Sequence, residues 1–272
     1  MGGLIASLAA KVDGSLVYRN IEKGYQALYG NAFTESTLPT NEKGLFTGIS
    51  IRPIAFLKID AYADVFSFPW LRYRVDAPTF GSEYLLQVTY KPNKQVEVYT
   101  RFKNENKAIN LSGLDLSTRP VITQPKQNWR TQVSYNVSKE VTLKSRVEML
   151  WFNQHEEDRK QQGFLTYIEG RYKPFGKPYA LNARLQHFET DGFESRLYSF
   201  ENDVLYGFSI PQFIGKGLRY YVNINYDVSK KMTVWFRWSQ TIYANETSLG
   251  TGLDEVDGNK RSEVKFQVIY NF

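Results

Sequence analysis

The chain holds two histidines, His155 and His187, and no cysteine. Thiol nucleophiles, disulfides and cysteine-based metal sites are therefore excluded, and imidazole chemistry has two places to occur. His187 has Glu189 and Asp191 as near neighbours in the sequence, and a hydrolase would need a hydroxyl beside it as nucleophile. No serine is placed to serve, so a barrel hydrolase is a minor alternative and the expectation is a protein that is not an enzyme. His155 stands with Glu156, Glu157 and Asp158, where a solvated charged loop is the plainer reading than a cation site. The acidic stretch 189–194 and the segment 251–259 offer carboxylates without a full calcium-ligand spacing. No metal or other cofactor is expected.

A broader pattern is a ladder of charges at alternate positions. Arg101, Lys103, Arg130, Lys144, Arg146, Arg171, Arg184, Arg219, Arg237 and Lys265 share the polar side of their segments with Glu97, Glu148, Glu169 and Glu263. Such a ladder would line a lumen. A surplus of positive charge there would gather anions, as in a narrow channel for anions or acidic oligosaccharides. Alternatively, Arg and Glu neutralise each other in an interior filled by side chains. The filled interior is favoured.

Only strands can hold charges in this way. In 84–90, Tyr84, Leu86, Val88 and Tyr90 fall on one side and Gln87 and Thr89 on the other. In 141–151, Val141, Leu143, Val147, Met149 and Trp151 oppose Lys144, Arg146 and Glu148. Segment 219–227 sets Tyr220, Val222, Ile224 and Tyr226 against Arg219, Asn223, Asn225 and Asp227, and 263–272 repeats the alternation. Period two is the strand period, and a helix would scatter these charges. A mean hydropathy of -0.44 and the lack of a long apolar run do not oppose membrane insertion, because alternating strands average to near neutrality.

Short turns near 52–54, 91–94, 136–139, 173–178 and 227–231 alternate with longer polar stretches near 20–44, 67–82, 103–127, 153–163, 190–216 and 245–261. Tight turns on one side and long loops on the other are the asymmetry of outer-membrane barrels. The fold expected is all-β: an antiparallel transmembrane β-barrel of about twelve strands between 14 and 272, one domain over 1–272. It would sit in the outer membrane of a Gram-negative bacterium. On this count 190–216 is an extracellular excursion, while 4–12 is a further strand only if Asp13-Gly14 makes a hairpin. Residues 1–11 lack the features of a secretory signal, and the chain reads as a piece of a longer precursor, the C-terminal part of a larger barrel.

Aromatics at strand ends suggest membrane girdles: Phe68, Trp70 and Tyr73, Trp129 and Tyr135, and Trp235, Trp238 and Tyr243. The final strand places Val268, Tyr270 and Phe272 on one side. That end resembles the signal read by the barrel-assembly machinery.

Segments 25–33 (YQALYGNAF), 68–76 (FPWLRYRVD), 90–94 (YKPNK), 124–130 (QPKQNWR), 201–206 (ENDVLY) and the Tyr-Asn-Phe end resemble Bacteroidota outer-membrane proteins described as helix-hairpin-helix domain-containing. The likeness spans nearly the whole chain and implies the C-terminal barrel portion only. The hairpin domain is absent, so no DNA-binding role carries over, and no catalytic motif comes with it. Partners expected are outer-membrane lipid and lipopolysaccharide, the assembly machinery, and other outer-membrane subunits, but no nucleic acid. The functional expectation is a structural or transport barrel. The alternatives are the anion channel and an interaction subunit presenting loops 66–73 and 205–214.

Overall fold

The computed structural model describes residues 1–27, 30, 32–111, 117–153 and 159–272. His155 and its acidic neighbours lie outside the described residues. The long strands are β1 (Gly2–Ala9), β2 (Val12–Ile21), β3 (Glu42–Ile54), β4 (Leu57–Phe68), β5 (Thr79–Tyr90), β6 (Val96–Asn110), β7 (Val121–Asn136), β8 (Val141–Phe152), β9 (Gln161–Tyr172) and β10 (Tyr179–Thr190). The short pair β11 (Leu197–Tyr198) and β12 (Gln212–Phe213) follows, then β13 (Lys216–Ser229) and β14 (Met232–Tyr243), the short pair β15 (Ser248–Leu249) and β16 (Val256–Asp257), and β17 (Lys260–Tyr270). The long strands form one sheet in chain order from β1 to β10, then β13, β14 and β17, with each short pair forming its own small sheet.

Among the described residues the sheet therefore has 13 strands, where the sequence pattern predicts about twelve. The addition is β1. Its turn is Ala10-Lys11, since Ala9 pairs with Val12, while Asp13 pairs with Ser7 inside the ladder. The expected Asp13-Gly14 turn is thus corrected: both residues are strand members. The small residues of β1 blur its alternation, which is why the pattern alone leaves it open.

Tight and long connections alternate as predicted, from 10–11 on one side to the 244–259 segment on the other. The chain divides into two compact units. One comprises 1–90, 100–129 and 152–159, the other 91–99, 130–151 and 160–272.

In the first unit the buried apolar residues are Phe66, Phe68, Val75, Ala108 and Phe152, while Leu45, Ile49, Val65, Tyr84 and Leu86 are exposed. In the second, Leu165, Tyr167, Phe188, Leu197, Phe213 and Tyr221 are buried, and Ile168, Leu185, Ile224, Phe236, Trp238, Val264 and Phe266 are exposed. Each sheet segment therefore turns an apolar face outward and buries a face rich in Arg, Glu and Asn. Water would reverse that arrangement; lipid favours it.

The girdle expectation needs correction at three positions. Phe68 is buried, edge to Phe66 and beneath the Arg72 guanidinium. Trp235 and Tyr243 share the polar face with Arg237 because they lie an even number of residues from it, and Tyr243 packs on Phe188. Trp238 stays on the outer face, against Tyr220.

Segment 191–215, within the 190–216 stretch expected to add no strand to the barrel, adds none to the long sheet, and it folds back over the polar face of the second unit. Leu197, Ser199 and Glu201 are buried, whereas Tyr198 and Phe200 are exposed. The strand-like alternation persists, but it turns carboxylates toward the buried arginines that need them.

Candidate functional site

Strands β13 and β14 pair with Arg219 opposite Thr241 and Asn223 opposite Arg237. The pleat sends these four side chains to the polar face with Tyr221 and Ser239. Segment 191–215 lays Glu201 across them. Arg219 donates from Nε to Glu201 Oε1 at 2.6 Å and from Nη2 to Oε2 at 2.9 Å. Arg237 donates from Nη2 to the same Oε2 at 2.5 Å. Glu201 and Arg237 are both fully buried.

Arg237 spends its remaining donors on the same segment and the next strand. Nε reaches the Asn202 carbonyl at 3.1 Å and Nη1 reaches Glu263 at 3.0 Å. Lys265, opposite Arg237 on β17, donates to Asp203 Oδ2 at 2.7 Å. Burial alone would push the Asp203 carboxyl up. The Lys265 hydrogen bond, the Val204 amide and the charges of Arg237 and Lys265 outweigh burial and hold it below the usual carboxylate range.

A second cluster adjoins on β9 and β10. Arg184 pairs with Glu169, its cross-strand partner, and donates from Nη1 to Ser199 Oγ at 2.9 Å. Tyr221 donates its hydroxyl to Glu169 at 2.8 Å, and Asn202 Nδ2 donates to the other Glu169 oxygen at 3.2 Å. The Tyr167 ring lies 4.0 Å beneath the Arg184 guanidinium. Segment 191–215 is therefore tied by Ser199, Glu201, Asn202 and Asp203. It also presses on β9, because a Cβ added at Gly163 would run into the Ser195 carbonyl. Further along, Arg130 grips Glu148 with two bonds of 2.8 and 2.6 Å, and Arg146 donates twice to Gln132.

The first unit follows the same rule. Arg19, fully buried, lies between Glu42 and Asp64 at 2.9 Å from each, and Glu42 also accepts from the Glu35 and Ser36 amides. Lys103 meets Glu83 at 2.8 Å, Tyr62 donates to Glu83, and Lys107 meets Glu35 at 2.9 Å.

All the predicted ladder residues thus fall on polar faces, but not as a free cationic lining. Lys103, Arg130, Arg184, Arg219, Arg237 and Lys265 are each paired with a carboxylate. Lys144 and Arg171 lie nearer the tight turns and have no ion pair among the described residues. Glu42, Asp64, Glu83, Glu201 and Asp203 supply the missing negative charge, and the selection made from strand pattern passes over them. For Glu201 and Asp203 the available signal was two carboxylates continuing the alternation of Leu197 and Ser199.

His187 stands on the outer face between Thr166 and Leu218, its ring 6.2 Å from that of Phe164. In the acidic stretch, Glu189 pairs with Lys216 and Asp191 accepts from the Gln162 amide. Val268, Tyr270 and Phe272 are exposed, with Tyr270 and Phe272 ring to ring at 5.3 Å.

No protein-family model matches the chain, and no curated protein does. Solved structures do. A mutant of the ferric enterobactin receptor of Pseudomonas aeruginosa is similar at a TM-score of 0.53 and 10% identity, over 89% of this chain and 40% of that one. The copper transporter OprC is similar at 0.52 and 8% identity, over 98% of this chain and 55% of that one. A loop-deletion mutant of OmpT, an outer membrane protein of Vibrio cholerae, matches at 0.48 and 10% identity, over 96% and 76%. The chain spans about half the length of the copper transporter and less of the receptor. The shared property is the fold, the antiparallel sheet of outer-membrane barrels. With its apolar face outward, the chain has the fold that outer-membrane barrels share.

Proposed function

We propose that this is a barrel with a structural or gated-transport role whose lumen is occluded by segment 191–215. The observation that carries the reading is Glu201, fully buried and clamped by Arg219 and Arg237. A segment held by a buried carboxylate between two guanidiniums has one arrangement, because removing either side leaves an uncompensated buried charge. The pairing also argues against the narrow anion channel, since most of the cations that would attract anions already have carboxylate partners. The exposed Val268–Phe272 end is read as the signal offered to the assembly machinery.

The test is conductance in planar lipid bilayers. The native protein is expected to conduct little, and Glu201→Gln combined with Asp203→Asn is expected to produce frequent openings. Steady anion-selective current through the native protein would establish the channel reading instead.

A further inference from the structure

Toward the tight-turn end of the second unit, the polar face and the underside of segment 191–215 border a half-open cavity of about 190 Å³. The occlusion described above does not use it. Cross-strand register builds its floor: Arg171 is opposite Asn182, Asn182 opposite Asn223, and Asn225 opposite Trp235. Asn202 and Asp203 form the roof.

The lining is polar and only partly satisfied. Asn182 is engaged with Asn202 and the Gly170 carbonyl, and Asn223 Nδ2 donates to the Asp203 carbonyl at 2.8 Å. Asn223, however, is only 5% exposed, and its Oδ1 has no partner; neither has the buried Trp235 Nε1. Buried polar atoms are nearly always paired, and these two stand at the cavity with hydrogen-bonding capacity that no protein group uses. The Asn225 side chain and the Arg171 guanidinium have no hydrogen bond or ion pair among the described residues. The Asp203 carboxylate is neutralised by Lys265 and does not oppose an incoming negative charge.

This set of groups specifies its ligand chemically. Asparagine side chains donate and accept in one plane, as adjacent hydroxyls do. An indole offers a flat apolar surface and one donor. A free guanidinium is the fork that fits a carboxylate. We infer that the cavity is a binding site for a single pyranose ring bearing a carboxylate, with Arg171 on the carboxylate, Asn223 and Asn225 on the hydroxyls, and Trp235 on the ring. The inference rests on segment 191–215 lying over the polar face, as the occlusion does, but its test reads binding and not current, so the two can fail separately.

The experiment is saturation-transfer NMR on the detergent-solubilised protein with glucuronate as the probe, and glucose and acetate as comparisons. Glucuronate is expected to bind better than either. Arg171→Gln is expected to raise its Kd at least about tenfold, the size of a lost charge-assisted hydrogen bond. Trp235→Phe, which keeps a ring and removes the donor, is expected to raise it by less. Arg171 is exposed and unpaired, so its replacement leaves the fold intact, and an unboiled gel checks this. The inference is overturned if glucuronate gives no saturation transfer, if both variants bind it as the native protein does, or if acetate or glucose matches it.

Discussion

Glu201 connects two arginines that a strand pattern alone would leave as excess positive charge. Buried ion pairs add little net stability, yet breaking one costs about 3–5 kcal/mol because the partner stays buried and unpaired. Glu201→Ala leaves Arg219 without a carboxylate and Arg237 with Glu263 as its close partner, so the unfolding free energy from a denaturant titration should fall by an amount in that range, and the fall should be smaller in an Arg237→Met background. An equal fall in both would mean that the clamp is not coupled. Asp203 adds a pH dependence. Its carboxyl is held below its ordinary value, so its contribution is fully present above the unfolded pKa of about 3.9 and is lost as the pH falls through the lower folded value. Protease cleavage within 191–215 should therefore stay slow at neutral pH and rise only in strong acid. Asp203→Asn should make cleavage fast at neutral pH and remove that acid-dependent rise.

At the scale of the strand, the two faces answer differently to the same substitution. Phe266 is exposed on the outer face of β17, and Gln267 is its polar-face neighbour. Phe266→Arg should cost about 2–4 kcal/mol at mid-membrane depth, read from the equilibrium of folding into lipid vesicles. Gln267→Arg should cost much less. Similar penalties would mean that the faces are misassigned. Most of this was legible beforehand, since period-two alternation fixes which residues share a face without any knowledge of the partner strand. β1 is ambiguous in the sequence because Gly, Ala and Ser give alternation too little contrast. Trp235 and Tyr243 depart from a girdle because aromatic type carries no information on parity, and parity decides the face.

For the molecule as a whole, the expected behaviour is that of a compact barrel: refolded in detergent and run unboiled, the protein should migrate differently from the boiled chain. Aggregation without a shift would mean that the strands require more polypeptide to close, since bare edges are not tolerated in lipid. Strand identity, the alternation of short and long connections, the outward apolar face and the placement of Arg101, Lys144, Arg171 and their companions were determined by the sequence itself, because each depends on local periodicity. What only the tertiary structure decided was the meaning of the charges. The pairing of Arg19 with Glu42 and Asp64, and of Arg219 and Arg237 with Glu201, joins residues tens of positions apart. It depends on how strands lie side by side and on one long connection turning inward. A charge buried without a partner is too costly to persist, so the connection that brought carboxylates was drawn onto the polar face.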